Sequence, residues 1–321
     1  MRGTILVTGA CGFIGRFVSE RLLADGWLVR GSVRVAADAG RLVPGVHPVP
    51  TGPIGPHTDW SAALSGVDCI VHLAARVHVM RDETADPLSE FRTVNADGTE
   101  TLARQAARAG VRRFVFLSTI GVHGDSSESR SFTETDAPAP YNPYSVSKLE
   151  AEQRLGLACS ESGLEAVILR PPLVYGPGNP GNFLSLLRLV SLGLPLPLAL
   201  VKNRRSFIYV GNLVDAIARC AIDPRCAGEL YLVSDARDVS TGELIRLTAK
   251  ALGVPVRLLA FPMLPVRLLA RIAGKEATLQ RLTGSLTVDT EKIRSGLGWE
   301  PPFSLEQGLK ATAAWYNTLK A

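Results

Sequence analysis

The sequence predicts an α/β fold, a doubly wound parallel sheet followed by a smaller C-terminal lobe. Short β-branched runs alternate with helical patterns through the first 170 residues, and a glycine-rich turn directly follows the first run. This alternation is typical of a parallel sheet that helices cover on both faces. Beyond residue 170, proline and glycine become frequent and the alternation weakens. We therefore expect a main domain at 1–170 and a smaller lobe at 171–321, with segments of the lobe returning to the main sheet.

Five apolar runs indicate buried strands, because each is short, rich in β-branched residues and bounded by turn residues. They cover residues 4–8, 28–33, 69–73, 114–118 and 166–170. Helical patterns lie between them. Two of these patterns, at 16–26 and 95–110, each end at a glycine that can close a helix.

Composition argues against several classes of protein. The 321 residues are 46% hydrophobic and carry a net charge of +5, with no long basic block. We therefore expect no nucleic-acid partner but allow for an anionic small molecule. The five cysteines are scattered and lack metal-ligand spacing. Neither a disulfide framework nor a metal site is expected, and the pattern fits a reducing cytoplasm.

The N-terminus and the apolar segments bear on membranes. The chain runs directly into its first strand without the apolar region and cleavage site of a signal peptide, which again favours a cytoplasmic location. The most apolar stretch, 183–201, is interrupted by arginine, glycine and proline, so we expect no membrane insertion. Residues 256–275 mix leucines with arginines. We expect them to form helices packed on the body, while contact with a membrane surface stays open.

The turn after the first strand contains three glycines, Gly9, Gly12 and Gly15, in the stretch ILVTGACGFIGRFVSERLL. A pyrophosphate needs a tight turn, close approach of the backbone and the positive end of a helix dipole. Glycines at these three places supply that geometry. The required strand precedes them and the required helix follows them. The motif therefore predicts a dinucleotide cofactor rather than a purely structural turn.

The end of the second strand indicates which cofactor binds. An acidic residue there would bind the ribose 2′-hydroxyl of NAD. The stretch VRGSVR instead places Ser32 and Arg34 at this point, without a carboxylate. Arg34 can bind a 2′-phosphate, and Arg16 is a weaker second candidate. We therefore favour NADP(H) over NAD(H); the alternative is that Arg34 is a solvated arginine at a strand end.

Hydroxyl, phenol and amine groups are predicted to meet at the carboxyl edge of the sheet. The fourth of the strands above ends in FVFLSTIGVHGD and delivers Ser118 and Thr119 to that edge. Tyr144 and Lys148 follow in NPYSVSKLEAE, four residues apart on one helical face behind Asn142 as a cap. Proton transfer at a carbinol beside a nicotinamide needs such a group, and a nearby ammonium should lower the phenol pKa from about 10. An incidental surface tyrosine is the alternative.

These stretches resemble the extended short-chain dehydrogenases/reductases of the nucleotide-sugar epimerase/dehydratase group, along essentially the whole chain. The resemblance is carried by TGACGFIG, VHLAA (71–75), VNADGT (94–99), FLSTIGVHGD, YSVSK, LRPPLVYGPG (169–178) and RRSFIYVGNLVDAI (204–217). It implies a Rossmann-type dinucleotide-binding domain at 1–170, a substrate-binding lobe after it, and an NAD(P)-dependent enzyme.

The resemblance also assigns roles to residues. The implied catalytic set is Thr119, Tyr144 and Lys148. The predicted cofactor-binding set is Gly9, Gly12, Phe13, Ile14, Gly15, Arg34, Ala74, Ser118, Tyr144 and Lys148, and Asn95 would support the active-site loop. Substrate contacts are predicted for Arg76, His78, Asn182, Arg205 and Arg281. Surface arginines and a satisfied loop histidine are the alternatives for this last set.

Three features depart from the family pattern. Leu173 stands where the family often has an asparagine that contacts the substrate diphosphate, and His123 stands where a tyrosine is common. The stretch PTGPIGP (50–56) has no match to an acidic residue that often contacts adenine, so the adenine contacts stay open.

The stretches ARVHVM, PLVYGPGNPGNF and NRRSFIYV resemble a subgroup that acts on UDP-N-acetylhexosamines in bacterial surface-polysaccharide synthesis. This implies a UDP-sugar substrate and chemistry at C4. We favour reduction of a UDP-4-keto-6-deoxy-N-acetylhexosamine, because Arg34 favours NADPH.

The alternative is a UDP-glucose/UDP-N-acetylglucosamine 4-epimerase with tightly bound NAD. More remote alternatives are a reductase of carbonyl compounds without a nucleotide and a cofactor-binding regulator that has lost catalysis. The residues leave open whether the chain forms a homodimer.

Overall fold

A computed structural model of the chain describes residues 2–77, 86–127, 130–272, 274 and 276–319. The strands are β1 Thr4–Thr8, β2 Leu28–Val33, β3 His47–Pro50, β4 Cys69–His72, β5 Arg113–Leu117, β6 Glu165–Arg170, β7 Leu173–Tyr175, β8 Phe207–Tyr209 and β9 Leu230–Leu232. Seven of them form one parallel sheet in the order β3-β2-β1-β4-β5-β6-β9, and β7 pairs with β8 in a second parallel sheet. This order confirms the predicted doubly wound sheet of the Rossmann type.

Helices cover both faces of the main sheet and build the C-terminal lobe. They are α1 Phe13–Ala24, α2 Ser61–Leu64, α3 Pro87–Phe91, α4 Gly98–Arg108, α5 Pro143–Ser160, α6 Asn182–Ser191, α7 Val210–Ile222, α8 Thr241–Leu252, α9 Met263–Ile272, α10 Glu276–Thr283, α11 Glu291–Leu297 and α12 Leu305–Thr318. Within the described ranges, no helix is long and apolar enough to cross a membrane.

The core has two layers, one on each side of the sheet. Ile5, Leu6 and Val7 of β1 are all fully buried, which requires cover on both faces. Ile5 and Val7 belong to the same apolar cluster as Leu22 of α1, and Leu6 belongs to the opposite cluster with Leu102 of α4. Each such side chain stabilises the fold by about 1.5–3 kcal/mol. Packing on both faces fixes the positions of the strands, so their carboxyl ends form a rigid edge of the sheet.

The five predicted strands are all present, each within one residue of its expected ends. The sequence pattern missed β3, which contains Pro48 and Pro50. Proline is tolerated there because β3 is the edge strand of the sheet and pairs only with β2. The pattern also missed β7, β8 and β9, which are three residues each and too short to show a period.

Segments beyond residue 170 lie in both parts of the molecule. Strand β9 pairs with β6 in the main sheet, and helix α7 packs against α1. Asp235, which follows β9, accepts hydrogen bonds from the Tyr175 hydroxyl (2.8 Å), the backbone N–H of Tyr209 (2.8 Å) and the Asn212 amide (2.7 Å). This buried carboxylate therefore fastens the small sheet of the lobe to α7. The domain boundary at residue 170 stays a prediction.

Candidate active site

The predicted glycine turn brings three chain segments into close contact. A Cβ built at Gly9, which has a φ of +70°, would lie 2.9 Å from the backbone nitrogen of Ala74. A Cβ at Gly15 would lie 2.1 Å from the carbonyl oxygen of Gly9, so neither position accepts a side chain. Gly12 is the N-cap residue of α1 and offers no side-chain hydrogen bond. The N–H groups of the first turn of α1 are thus suited to an anion such as a pyrophosphate.

A cavity of about 600 Å³ opens beside this turn, at the carboxyl edges of β1, β2 and β4, a volume typical of a cofactor site. Its lining residues include Gly9 and Cys11 after β1, Ser32 within β2, Arg34 and Arg41 after β2, and Ala74 and Arg76 after β4. Phe13 and Ile14, the other predicted cofactor residues of the turn, are the first two residues of α1 and are half-buried. The residues present therefore fit a dinucleotide.

The end of the cavity next to β2 is cationic. Arg34 is exposed and lines the cavity there, as the sequence predicted. Arg41, which the sequence pattern missed, lines the same end and forms an ion pair with Asp38 at 3.2 Å. The only carboxylate among the described lining residues is thus already engaged by a guanidinium group. Arg16 is exposed on α1 and does not line the cavity.

Thr119 lies in the loop that leaves β5. Its hydroxyl accepts a hydrogen bond from the backbone N–H of Gly121 (3.1 Å) and so caps the short helical turn Ile120–Val122. A Cβ built at Gly121 would lie 2.5 Å from Oγ of Ser145 and 3.4 Å from the ring of Tyr141. A larger residue at 121 would force the loop away from the first turn of α5. Thr119 is therefore held beside the N-terminal end of that helix.

Helix α5 begins as the sequence predicted. The side chain of Asn142 accepts a hydrogen bond from the backbone N–H of Ser145 at 2.8 Å, and Pro143 is the first helical residue. Tyr144 follows in the first turn and Lys148 one turn later, which places both on one face of the helix.

The Tyr144 phenol lies in a largely apolar setting. Its ring is half-buried and packs edge-on against Phe91, with 6.2 Å between ring centroids. Burial raises the pKa of Tyr144 to about 12, and the nearby Tyr141 adds to the rise. The lowering that we expected from Lys148 is therefore wrong for the cofactor-free protein, because desolvation dominates. The phenol of Tyr144 is thus protonated at neutral pH.

Lys148 is almost fully buried. Its Nζ lies 3.8 Å from the centroid of the Phe116 ring, a cation–π contact. Burial lowers the pKa of Lys148 to about 7, whereas the charge of Glu152 opposes this shift. An ammonium held in this way costs stability until a polar partner compensates it. The hydroxyls of a bound ribose are suitable partners.

A buried ion pair lies next to Lys148. Glu152, one turn further along α5, pairs with Arg170 at the end of β6, and the Nε of Arg170 is 3.0 Å from Oε1 of Glu152. The Ser118 hydroxyl donates to the same carboxylate, and Arg170 contacts Nε2 of His123 at 2.7 Å. These bonds join α5, β5, β6 and the loop after β5. The Ser118 side chain thus belongs to this network, and its predicted contact with the cofactor stays a prediction.

A second set of hydrogen bonds fixes the loop that follows β4. The buried Asn95, in the π-helical turn Arg92–Asp97, accepts from the backbone N–H of Arg76 (2.8 Å) and donates to its carbonyl (3.0 Å). Its amide also donates to Oγ of Ser147 (2.9 Å), which donates to the carbonyl of Tyr144 (2.8 Å). Such π-helical turns recur at functional sites. The Asn95 side chain thus joins the segment after β4 to the start of α5, and its role in supporting an active-site loop stays a prediction.

The predicted substrate residues lie in several places. Arg76 lines the cavity and has its guanidinium 3.8 Å from the Glu90 carboxylate. Asn182 is exposed as the first residue of α6. His78 lies outside the described residues. Arg281 belongs to α10, and its side chain is also outside the described part of the structure.

Arg205 is half-buried near the catalytic face. Its guanidinium donates to the carbonyl of Gly284 at 3.1 Å. Burial lowers the pKa of Arg205, whereas Tyr141 and Asp125 raise it. The side chain is therefore within electrostatic reach of the segment just before Tyr144 and of the loop after β5. No sequence pattern pointed to Tyr141 or Asp125, because each is a single polar residue in an irregular segment.

We predict that Lys148→Met stabilises the cofactor-free protein. The Lys148 pKa is about 7 in the fold against 10.5 for a free lysine. The unfolded chain therefore binds more protons between these values, so the cost of burying the ammonium is full below pH 7 and vanishes toward pH 10.5. Urea denaturation should give the variant the larger free energy of unfolding at about pH 6, with the gap closing by about pH 10.

Lys310→Met is the matched control, because Lys310 is exposed on α12. It should change the free energy of unfolding little and show no gap that closes with pH. A Lys148→Met variant that is less stable than the wild type at low pH would contradict this account of the buried ammonium.

Known proteins similar to this chain identify its family. Residues 5–233 match the NAD dependent epimerase/dehydratase family. A protein of Vibrio cholerae named UDP-glucose 4-epimerase is 42% identical over 98% of this chain and 95% of its own length.

Solved structures are similar over the same extent. The structure of MoeE5 in complex with UDP-glucose and NAD is 26% identical, covers 99% of this chain and 100% of its own, and has a TM-score of 0.78. A UDP-glucose 4-epimerase of Thermotoga maritima, solved with UDP-glucose, has the same coverage and TM-score at 23% identity, which shows the fold alone. The chain belongs to the NAD dependent epimerase/dehydratase family of extended short-chain dehydrogenases/reductases and is an enzyme of that family.

Proposed function

We propose that this enzyme reduces the C4 carbonyl of a UDP-4-keto-6-deoxy-N-acetylhexosamine with NADPH, in bacterial surface-polysaccharide synthesis. The name of the Vibrio cholerae relative, UDP-glucose 4-epimerase, supports chemistry at C4 of a nucleotide sugar. The observation that carries the choice of a reductase is the cationic end of the cofactor cavity, where Arg34 and Arg41 lie beyond β2.

The cationic end favours a cofactor that carries a 2′-phosphate. A guanidinium group binds phosphate in a forked arrangement, and a hydrogen bond between charged groups stabilises by about 1.5–3 kcal/mol. No carboxylate stands at the end of β2 to bind the 2′-hydroxyl of NAD. Asp38, which lines this end, is paired with Arg41. A reductase oxidises one NADPH in each turnover, so the oxidised cofactor must leave and a new NADPH must bind. Binding of the 2′-phosphate by an exposed arginine permits this exchange.

The chemistry divides between cofactor and chain. When bound, the nicotinamide supplies the hydride that reduces C4. The Tyr144 phenol donates a proton to the carbonyl oxygen, which becomes the C4 hydroxyl, and the Thr119 hydroxyl hydrogen-bonds that oxygen. The raised pKa of Tyr144 suits this donor role. The Lys148 ammonium holds the ribose hydroxyls and favours the phenolate that remains after proton donation.

Arg205 is the group that we assign to the nucleotide diphosphate. Its guanidinium is half-buried and within electrostatic reach of Tyr141, just before α5, and of Asp125, in the loop after β5. A reductase of carbonyl compounds without a nucleotide would give this cation no phosphate to bind. Thermal-shift titration with UDP, against an apolar ketone, distinguishes the two substrate classes.

A 4-epimerase with tightly bound NAD is the second candidate. The name of the Vibrio cholerae relative and the NAD in the MoeE5 structure favour it. An epimerase returns the hydride to the same sugar, so its cofactor need not leave. The same Tyr144, Lys148 and Thr119 would serve it, since proton transfer at the C4 oxygen is common to both reactions.

We predict that Tyr144→Phe retains cofactor binding and loses turnover by about a hundredfold or more, because it removes the proton donor but keeps the packing of the ring on Phe91. Steady-state rates and a fluorescence titration of the cofactor measure the two effects. Tyr316→Phe on α12 is the control and should leave both unchanged. Near-normal turnover of Tyr144→Phe would remove Tyr144 from the catalytic role.

We predict that Arg34→Ala weakens NADPH binding by about tenfold to a hundredfold and NADH binding by far less, because only NADPH carries the 2′-phosphate. Arg41→Ala should have a smaller effect, since Arg41 already pairs with Asp38. Arg108→Ala is the control, because Arg108 is exposed on α4 and does not line the cavity. Equal losses for the two cofactors in Arg34→Ala would show that this residue does not select between them.

The assay that tests the proposed reaction supplies the 4-keto sugar nucleotide with NADPH and follows loss of the nicotinamide absorbance. In parallel, UDP-N-acetylglucosamine is incubated without added cofactor and examined for its C4 epimer. We expect consumption of NADPH that depends on the 4-keto sugar, and no epimer. Formation of the epimer without consumption of NADPH would establish the 4-epimerase instead.

A further inference from the structure

The C-terminal lobe exposes an apolar helix face that the proposed reaction does not use. Leu264, Leu268 and Ile272 of α9 are 78%, 60% and 76% exposed. Their spacing of four residues places them on one side of the helix. The segment just before α9 adds the exposed Leu259 and Phe261. Exposed apolar side chains at this density are uncommon on a soluble surface and indicate an interaction site.

The same stretch of chain is strongly basic. Residues 256–281 contain five basic residues and a single acidic one, which gives this stretch a net charge of +4. The whole chain has a net charge of +5. The described Arg257 and Arg271 flank the apolar residues and are exposed. An apolar helix face with arginines around it is the pattern of helices that lie in the interface of an anionic bilayer.

The basic charge decides between two occupants of this face. A second copy of the chain would bring one cationic segment against another, and like charges across an interface oppose association. A bilayer with acidic headgroups offers the opposite charge and an apolar layer to receive the leucines. Insertion across the bilayer is not involved, because none of the described helices is suited to span it.

We propose that α9 and the segment before it bind the surface of an anionic membrane, with Leu264, Leu268 and Ile272 entering the headgroup boundary and the flanking arginines contacting acidic lipids. The contact is peripheral and reversible, because a single short helix buries few side chains. It places the C-terminal lobe, rather than the cofactor cavity, against the lipid surface.

The test is sedimentation of the full-length protein with vesicles. Vesicles of phosphatidylcholine mixed with phosphatidylglycerol should carry the protein down, vesicles of phosphatidylcholine alone should carry far less, and added salt should release it. Leu268→Glu should weaken binding to the anionic vesicles by about tenfold or more, since it removes a leucine that enters the headgroup boundary and adds a repelled charge. Arg271→Glu should weaken it as well.

Leu157→Glu is the matched control, because Leu157 is 58% exposed on α5, outside the basic segment. It should leave vesicle binding unchanged. Circular dichroism and thermal melting establish that each variant is folded, and light scattering gives its mass in solution. Equal binding by Leu268→Glu and Leu157→Glu, or no preference for anionic vesicles, would overturn the proposal. So would a wild-type dimer that Leu268→Glu converts to a monomer without any vesicle binding.

Discussion

The buried ion pair between Glu152 and Arg170 is the interaction on which the catalytic edge depends. It fastens α5 to the end of β6, and Ser118 and His123 extend it to β5 and its loop. Removing one partner of such a pair costs about 3–5 kcal/mol, because the other charge is left buried. Tyr144 and Lys148 stand on the same helix, so their position relative to the sheet edge follows from this anchor.

The pair also sets the electrostatic surroundings of Lys148. Burial favours the neutral amine, and the negative charge of Glu152 partly restores the ammonium. Without that carboxylate the amine would lose its proton at a still lower pH and would hold a ribose and a phenolate less well. The protein therefore carries an unfavourable buried cation in its cofactor-free form, and in the proposed site the ribose of a bound cofactor would compensate it. Such a trade of stability for function is usual at active sites.

Much of the fold could be predicted from the sequence. In the first 170 residues, β-branched runs alternate with helical patterns, some of which end at a glycine. The start of α5 could be predicted as well, since Asn142 and Pro143 fix where that helix begins. The four-residue spacing of Tyr144 and Lys148 then places both on one face of the helix. The ion pair could not, because Glu152 and Arg170 meet only after β6 joins the sheet. Nor could Arg41 and Asp38 be placed at the cavity, since they lie in a short 3₁₀ helix, Ala36–Arg41, that has no buried residues to give it an apolar pattern. The direction of the Tyr144 pKa shift was mistaken because it depends on burial, which residue spacing does not reveal.

We propose that the enzyme uses an exchangeable NADPH rather than a resident NAD. The most direct measurement is to denature the protein as purified and identify any nicotinamide nucleotide that it releases. Reversible binding of NADPH to the native protein is then titrated. The account predicts little retained cofactor and binding of NADPH in preference to NADH. Retention of stoichiometric NAD that added NADPH does not displace would contradict it.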